Sequence, residues 1–296
     1  MGDDYLQWNI RGIKDVLRRN NKIDKVINLL ETPSKIKVLN LQETHLMSPE
    51  DTPPPFKNFE HLFHIINNFA TPEDRAAGIC MFINKTENIL IQENLLRGRL
   101  TYLQLCNTVD NKTKNIFSYY GRSRNSRTDW KSNFEIIQNK VADNKLKNII
   151  ILGDFNFVTS ILDRNTQNLN SIDNLACPPF LELQEKIDLI DTFRITNPKR
   201  RLYTYYHTDR KSKSRIDRIY IDVELSSRVE ATNFEFTKLS DHKVVRLRIG
   251  NNVERGPGSW IFNNTLLNDE NFSNKMIEEI RYSVSIKHTY ESKRSF

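Results

Sequence analysis

Cysteine is scarce in this sequence, with three residues among 296. Cys80, Cys106 and Cys177 lie far apart in the chain, their number is odd, and no CxxC pair occurs. This pattern argues against a disulfide framework and gives no support to a zinc site with thiolate ligands. We therefore expect a protein of a reducing compartment.

Long apolar runs are also missing. The opening MGDDYLQWNI lacks the basic start and the apolar stretch of a secretory leader. Leu6 stands where the N-myristoylation pattern needs Ser or Thr, and no segment reaches the length of a membrane span. We expect a soluble intracellular protein that has no membrane partner.

The charge balance is basic without being extreme. Lys and Arg total 44 against 37 Asp and Glu, which gives a net charge of +7 and an isoelectric point near 9.2. This excess favours a polyanionic partner, provided that the positive side chains cluster on the surface.

Strand-like segments alternate with a few helix-like segments along most of the chain. This pattern, without any internal repeat, favours one α/β domain of packed sheets over residues 1–249. The Gly/Pro/Asn-rich stretch 250–259 predicts a linker, and residues 260–283 predict an aromatic anchor and an amphipathic helix capped near Asn268. The predicted strands are 5–12, 37–43, 61–67, 77–84, 100–109, 114–121, 148–156, 202–208, 214–222, 231–238 and 242–249. The predicted helices are 14–31, 128–144 and 178–198.

The segment ILGDFN (151–156) ends an apolar strand with two polar side chains. Because successive side chains alternate along an extended segment, Asp154 and Asn156 emerge on one face and Phe155 on the other. Gly, Asp and Asn also form ordinary turns. The stretch alone therefore fits a turn as well as it fits a functional site.

Other predicted strands carry polar residues in the same places. Asn9 ends the first strand, Glu43 ends the second, Asp241–His242 begins the last, and Asp217 lies in a strand that otherwise looks buried. Functional clefts often lie where several strand ends converge. Carboxylates and amides without cysteine suit a hard cation such as Mg²⁺, and a single His beside them suits proton transfer or contact with phosphate.

Each of these residues also has an ordinary structural explanation. Asn9 could cap a turn, Glu43 could be an exposed charge, Asp217 could pair with a neighbouring arginine, and His242 could be a satisfied buried histidine. For any single residue the structural explanation is favoured. For the whole set the catalytic explanation is favoured, because its members complement each other chemically.

Five motifs occur in an order that is characteristic of one superfamily. They are QWNIRG (7–12), LQETHL (41–46), ILGDFN (151–156), SRIDRIYI (214–221) and LSDHKVV (239–245). Together they resemble the endonuclease/exonuclease/phosphatase superfamily, which includes exonuclease III-like repair enzymes and DNase I. The resemblance, over residues 5–249, is greatest to the endonuclease domain of non-LTR (LINE-type) retrotransposon proteins. Residues 259–272 also resemble the segment that leads toward the reverse transcriptase in those proteins.

The resemblance implies a fold and a set of roles. The fold is a DNase I-like four-layer α/β sandwich, in which helices flank two packed mixed β-sheets. Glu43 is implied to bind Mg²⁺ with the assistance of Asn9, and Asp241 is implied to lie close to the metal. Asp154 is implied to orient or deprotonate the attacking water, with Asn156 holding the water and the phosphate.

Two further roles follow from the same resemblance. His242 is implied to contact the non-bridging phosphate oxygens while Asp217 holds it in orientation. The family also has an aromatic hydroxyl, which we assign to Tyr120 in FSYYGRS (117–123), with Tyr119 as the second choice. Arg122 replaces the proline that the family has in this stretch.

The resemblance implies a Mg²⁺-dependent endonuclease, for which Mn²⁺ is a second candidate metal. Hydrolysis is implied to leave a 3′-hydroxyl and a 5′-phosphate, and the 3′-hydroxyl primes reverse transcription of a retrotransposon. The expected partners are double-stranded DNA, the reverse transcriptase of the same protein in cis, and the element RNA. We expect synthesis in the cytoplasm, action in the nucleus, and excision of this chain from a larger protein.

The basic stretch YHTDRKSKSR (206–215) joins two predicted strands and directly precedes Asp217. We expect a hairpin loop that lies near bound DNA and helps to choose the target, although charged hairpin tips are usually solvated turns. The predicted DNA contacts are Arg122, Arg210, Lys211, Lys213, Ser214 and Arg215.

Three alternative functions remain open. Abasic-site repair endonucleases of this superfamily cup the flipped sugar with aromatic residues, and Ser214 stands where one of them is expected. A phosphatase or sphingomyelinase for lipid or inositol phosphates is compatible with the basic loop. A binding module with a decayed site is disfavoured, because every expected catalytic side chain is present.

Overall fold

The chain divides into two compact units, Met1–Val253 and Glu254–Phe296. Every candidate site residue lies within the first unit, and residues 251–259 of the predicted linker fall outside the described residues. The computed structural model describes residues 2–13, 22–31, 36–166, 168–207, 211–250 and 268–291.

Fourteen strands are present in the described part of the chain. In chain order they are β1 (Asp3–Asn9), β2 (Ile36–Gln42), β3 (Phe63–Asn68), β4 (Ile79–Asn84), β5 (Glu87–Leu96), β6 (Leu100–Asn107), β7 (Thr113–Tyr119), β8 (Ile149–Asp154), β9 (Leu189–Asp191), β10 (Tyr205–Tyr206), β11 (Lys213–Ser214), β12 (Asp217–Asp222), β13 (Val229–Glu235) and β14 (Val244–Ile249).

Twelve of these strands form two six-stranded sheets, ordered β13-β14-β1-β2-β4-β3 and β5-β6-β7-β8-β12-β9. Both sheets are mixed, because β1 pairs with β2 and β7 pairs with β8 in parallel, whereas the other pairs are antiparallel. The remaining strands, β10 and β11, form a two-stranded hairpin.

The main core lies between the two sheets. Because side chains alternate along a strand, each sheet turns one apolar face toward the other sheet. Mostly aliphatic side chains and two tyrosines fill this space, including Tyr5, Val38 and Met81 from the first sheet and Leu103, Ile150 and Ile219 from the second. Both faces of β4 are buried along its whole length, as the sequence predicted for 77–84.

Helices cover the outer faces of both sheets. The helices of the first unit are α1 (Lys22–Leu30), α2 (Pro54–Lys57), α3 (Arg127–Asn144), α4 (Ser171–Lys186) and α5 (Thr192–Thr196). The second unit contains α6 (Glu270–Glu291). Val26 of α1 packs with Trp8 and Leu39 on the first sheet, whereas Phe134 of α3 and Phe180 of α4 pack on the second. The predicted α/β class with two mixed sheets flanked by helices is confirmed.

The predicted helix 178–198 is wrong in its bounds. Helix α4 begins at Ser171, because Asn170 and Asp173 form a capping box that satisfies the first backbone donors. The chain leaves the helix at Ile187, Asp188 adopts a left-handed conformation with φ of 49°, and β9 and α5 follow. Local spacing of apolar residues does not distinguish one long helix from a helix, a short strand and a helical turn.

Strand β5 was not predicted, because it lies at the edge of the second sheet and all of its residues but one are partly buried or exposed. Such a strand has no continuous apolar face to reveal it. Of the predicted helix 14–31, residues 14–21 lie outside the described residues. Asp269, one residue beyond the predicted cap, accepts the first backbone donors of α6. None of the described helices combines the length and the apolar character that crossing a membrane requires.

Candidate active site

Four strands and one loop bring the predicted catalytic side chains to one edge of the sandwich. Asn9 ends β1, Glu43 follows β2, and Asp154 ends β8. Asp217 begins β12 directly opposite Asp154 in the antiparallel register, and His242 lies just before β14. Because β8 and β12 are antiparallel, the end of β8 and the start of β12 lie at the same edge of the sheet. The convergence that the strand ends predicted is present.

The loops that leave this edge turn sharply. The Asn9 side chain accepts a hydrogen bond from the Arg11 backbone N–H at 3.0 Å, and Asp154 accepts one from the Asn156 N–H at 2.9 Å. Arg11 and Asn156 are both left-handed, with φ of 52° and 58°, and Glu43 has φ of 54°. Left-handed conformations of residues other than glycine are uncommon and concentrate at functional sites.

Asn9 forms hydrogen bonds to two carboxylates of the site, Glu43 and Asp154. Its Nδ2 donates to Glu43 Oε2 and to Asp154 Oδ2, both at 2.9 Å. Its Oδ1 accepts from Arg11, so the amide orientation is fixed by hydrogen bonds on both ends. Asn9 therefore holds the two carboxylates in place, and direct ligation of a metal by Asn9 stays a prediction.

Tyr120 rather than Tyr119 reaches the site. The Tyr120 hydroxyl donates to Glu43 Oε2 at 2.9 Å, and the Arg99 guanidinium stacks 4.2 Å from its ring centre. Tyr119 packs instead in the aromatic cluster beneath α3, 5.6 Å from Phe134. Adjacent residues of an extended chain face opposite ways, so only one of the two can contact Glu43.

His242 and Asp217 form a buried pair between the sheets. His242 Nδ1 lies 2.8 Å from Asp217 Oδ2, and Gln7 Nε2 donates to Asp217 Oδ1 at 3.2 Å. Tyr205 of the hairpin lies against the imidazole, with ring centres 4.7 Å apart. These contacts leave Nε2 of His242 as the ring nitrogen available to a ligand.

Buried amides hold the strand ends together. Gln42 Oε1 accepts from the Asp154 N–H at 2.6 Å and from Gln7 Nε2 at 3.1 Å, while Gln42 Nε2 donates to the Tyr119 carbonyl at 2.9 Å. Gly153 permits this close packing, since a Cβ there would lie 1.8 Å from the Tyr119 oxygen. The glycine of ILGDFN is thus required by the approach of β7.

The pKa values of Glu43 and Asp154 are shifted in opposite directions. Burial raises the pKa of Glu43, but hydrogen bonds from His45, Asn9 and Tyr120 outweigh burial and hold it below its usual range. Burial, followed by repulsion from Asp217, raises the pKa of Asp154 to about 7. Glu43 is therefore ionised at neutral pH, whereas Asp154 is able to take up a proton there.

The charge of His242 follows from its carboxylate neighbours. Burial lowers its pKa, but the negative charge and hydrogen bond of Asp217 prevail and raise it to about 9. The imidazole is therefore protonated at neutral pH, and a cationic donor lies beside Asp154.

The other predicted residues lie at the rim. Asn156 Nδ2 donates to the Gly121 carbonyl at 2.8 Å. Asp241 forms an ion pair with Arg11, whose side chain is half exposed. Arg122 is exposed and lies 3.4 Å from Asp74. The predicted roles of Asn156, Asp241 and Arg122 stay predictions.

Two of the predicted DNA contacts are buried rather than exposed. Arg215 is 1% exposed, and its guanidinium pairs with Asp163 and Asp191 at 2.6–3.0 Å, so it belongs to a buried ion cluster. Ser214 is 3% exposed and pairs with Tyr205 in the hairpin, so its side chain offers no surface to DNA. Arg215 precedes a strand in a basic stretch, but residues from other segments pack around it and bury it.

The predicted hairpin itself is present. Strands β10 and β11 pair antiparallel, with Tyr206 opposite Lys213, and Lys211 is exposed near the tip. Lys211 and Lys213 stay predicted DNA contacts. Arg210 lies outside the described residues.

Sequence reasoning missed several members of the site. Gln7 had a signal, since it stands two residues before Asn9 and so faces the same way in a strand. Ser240 lies inside the last motif, where its hydroxyl donates to the Asn9 carbonyl at 2.9 Å and accepts from the His242 N–H at 3.1 Å. Tyr205 had no local signal, because its place depends on a bridge to His242 from a distant part of the chain.

A family model described as Endonuclease/Exonuclease/phosphatase family matches residues 6–242. The chain belongs to this family. The matched span contains all five motifs apart from the last residues of LSDHKVV.

This endonuclease/exonuclease/phosphatase chain is similar to several known proteins. It is 29% identical over 189 residues, 62% of its length, to the Transposon TX1 uncharacterized 149 kDa protein of Xenopus laevis, and it spans 14% of that protein. Its structure is similar to an AP endonuclease from Leishmania major, with a TM-score of 0.69, 16% identity, and coverage of 85% of this chain and 88% of that one. It is also similar to the endonuclease domain of TRAS1, a telomere-specific non-LTR retrotransposon, with a TM-score of 0.59, 14% identity, and coverage of 84% and 99%.

The donor set suits a cation that prefers oxygen ligands. Glu43 is ionised and partly exposed, and one polar side-chain atom from each of Asp154, Asp217 and His242 lies within 4.8 Å of the others. Burial, followed by repulsion from Asp217, disfavours the ionised form of Asp154, which a nearby positive charge would stabilise. A divalent cation beside Glu43 and Asp154 would supply such a charge, so the residues fit the metal that the motifs imply.

Proposed function

We propose that this chain is a Mg²⁺-dependent endonuclease that nicks double-stranded DNA. The observation that carries the proposal is the position of Asn9, whose amide lies 2.9 Å from both Glu43 and Asp154. One residue thereby fixes an ionised carboxylate and a carboxylate with a pKa near neutrality, at an edge where a protonated histidine is also present.

Asp154 is the proposed base for the attacking water. Each of its oxygens accepts one hydrogen bond from the protein, and each retains a lone pair for a water molecule. In the absence of metal its pKa is about 7, and a pKa near the operating pH suits a general base. Asn156, beside it, is proposed to position the water and the phosphate.

His242 is the proposed partner of the phosphate. Asp217 occupies Nδ1, so Nε2–H is left to donate to a non-bridging oxygen. The imidazolium is fixed by Asp217 and Tyr205 before the substrate arrives, and fixed donors stabilise the charge that develops in the transition state.

Glu43 is the proposed principal ligand of the metal, with Tyr120 and Asn9 fixing its orientation and Asp241 nearby. When bound, Mg²⁺ would neutralise the phosphodiester and lower the pKa of coordinated water. Mn²⁺ is expected to substitute, because it prefers the same oxygen ligands.

We infer that the biological role is target nicking for a retrotransposon. The similarity to the TX1 transposon protein and the shared fold with the TRAS1 endonuclease domain support this inference. In this role the nick leaves a 3′-hydroxyl that primes reverse transcription. The partners would be a reverse transcriptase in the same protein and the element RNA, with action in the nucleus.

The proposal is tested by incubation with supercoiled plasmid. The wild-type chain should convert it to the open circle in Mg²⁺ and not in EDTA, while Glu43→Gln prepared identically should be inactive. Equal nicking by the two proteins would mean a contaminant and would contradict the assignment of Glu43.

An abasic-site endonuclease is the alternative within the family. Ser214, buried in the hairpin, replaces the aromatic that such enzymes place beside the sugar. One duplex cleaved with and without a single abasic analogue separates the two functions. We expect similar rates, whereas a preference above about a hundredfold, near 3 kcal/mol, would favour repair.

A further inference from the structure

A pair of lysines shares one tyrosine ring beside the active site. Lys243 Nζ lies 4.9 Å and Lys213 Nζ lies 5.5 Å from the ring centre of Tyr206. Lys243 directly follows His242 in the chain, and Lys213 lies opposite Tyr206 in the hairpin. We call Lys213, Tyr206 and Lys243 the lysine–tyrosine cluster.

Backbone hydrogen bonds fix the cluster to the catalytic loop. The Tyr206 N–H donates to the Asp241 carbonyl at 3.0 Å, and the Lys243 N–H donates to the Thr204 carbonyl at 2.7 Å. With the bridge between Tyr205 and His242, these bonds extend the hairpin by one short strand. Tyr205 therefore faces His242, while Tyr206 faces the other side with the two lysines.

The charges of the cluster are not balanced by the described protein. Within the described ranges, neither Lys213 nor Lys243 forms an ion pair with a carboxylate, although both approach one ring. Attraction to the ring face orients each ammonium but does not neutralise it. Two like charges beside one ring on a partly exposed surface suit an anionic group with several acceptor oxygens.

The position of the cluster identifies that group. Lys243 adjoins His242 in the chain, but its side chain faces the other way. An anion bound by the cluster would therefore lie on the other side of this short strand from the phosphate that His242 is proposed to contact. We propose that the lysine–tyrosine cluster binds a DNA backbone phosphate that flanks the cleavage site rather than the scissile phosphate itself. This inference rests on the proposed nuclease function and adds Tyr206 and Lys243 to the residues that hold the substrate.

The proposal predicts a loss of affinity that depends on salt. Binding of a labelled duplex to the full chain is measured in EDTA, at about 50 and about 200 mM salt. Each phosphate contact contributes about 0.9 to the slope of log affinity against log salt, so Lys243→Ala should reduce the slope by about that amount. The matched control is Lys147→Ala, an exposed lysine before the start of β8 at the opposite edge. Lys147→Ala should leave the salt slope closer to the wild-type value than Lys243→Ala does.

The ring has its own test. Tyr206→Leu should weaken binding in the same direction as Lys243→Ala, whereas Tyr206→Phe, which keeps the ring, should lose much less. If the ring acts by holding the lysine, Tyr206→Leu combined with Lys243→Ala should lose less than the sum of the two single losses. The role of the ring would be overturned if Tyr206→Leu and Tyr206→Phe lost the same DNA affinity. It would also be overturned if the losses of Tyr206→Leu and Lys243→Ala added fully in the double variant.

Nicking kinetics separate substrate binding from support of His242. The proposal predicts that Lys243→Ala raises KM with little change in kcat. A fall in kcat at unchanged KM, or a salt slope equal to that of the wild type, would overturn it. Failure of the wild-type chain to bind or nick DNA would instead contradict the proposed function itself.

Discussion

His242 Nδ1 lies 2.8 Å from Asp217 Oδ2, and this hydrogen bond joins the two sheets at the catalytic edge. His242 precedes β14 of the first sheet, and Asp217 begins β12 of the second. The pair therefore has two consequences. Asp217 keeps the imidazole of His242 protonated for contact with phosphate, and the shifted pKa of His242 makes the folding stability depend on pH.

The stability consequence has a definite sign. The pKa of His242 is raised from 6.5 to about 9, so its contribution to folding is complete below pH 6.5 and is lost as the pH rises through 9. In EDTA, the stability advantage of the wild-type chain over His242→Gln should shrink across this window by up to about 3 kcal/mol. Urea unfolding at several pH values measures it. An advantage that stays constant with pH would contradict the protonated pair.

Asp154→Asn should separate activity from stability. The raised pKa of Asp154 means that its ionised form is disfavoured in the fold, so removal of the charge should offset the hydrogen bond that the new amide NH2 cannot accept, and stability at pH 8 without metal should change little. Nicking should fall by at least about a hundredfold. Thermal unfolding and plasmid assays on one preparation give both values. A stable variant with full activity would remove Asp154 from the mechanism.

The hairpin is tested by Lys211→Ala, which leaves the lysine–tyrosine cluster intact. Lys211 lies near the tip, so we expect the substitution to change which plasmid positions are nicked. Sequencing of nick sites at two salt concentrations provides the measurement. A weaker salt dependence with the same sites would mean a contact with phosphate alone, since such contacts carry no sequence information. No change in either would make the tip an ordinary solvated turn.

Arg215 should matter for folding rather than for DNA binding. Its guanidinium is 1% exposed and pairs with Asp163 and Asp191, so Arg215→Met leaves buried carboxylates without this partner. Loss of one partner of a buried ion pair costs about 3–5 kcal/mol. Denaturant unfolding should show this loss, with Lys147→Ala as the exposed control. A normal stability combined with weaker DNA binding would make Arg215 a DNA contact after all.

The sequence predicted the parts of the fold that depend on local pattern. Buried strands such as β4 and β8 have continuous apolar runs, and the polar residues that follow such runs were enough to identify most of the site. Arg215 shows where this reasoning stops. A basic residue in a basic loop looks exposed, and only Asp163 and Asp191, more than twenty positions away, make it buried.

The same limitation of sequence reasoning applies to Tyr205 and to the buried residues Gln7 and Gln42. Their roles arise from pairings between distant segments, such as the bridge from Tyr205 to His242 and the bond from Gln42 to Asp154. The predicted helix 178–198 failed for the opposite reason, since its apolar spacing continued through a real break at Asp188.

The chemistry of the nick ends tests the central claim most directly. Plasmid nicked by the wild-type chain in Mg²⁺ is supplied, without any phosphatase treatment, to a polymerase and labelled nucleotides. The account predicts immediate incorporation at the nicks, because hydrolysis by this site leaves a 3′-hydroxyl, and it predicts no incorporation with the Glu43→Gln preparation. Nicks that accept label only after removal of a 3′-phosphate, or equal labelling with both preparations, would contradict it.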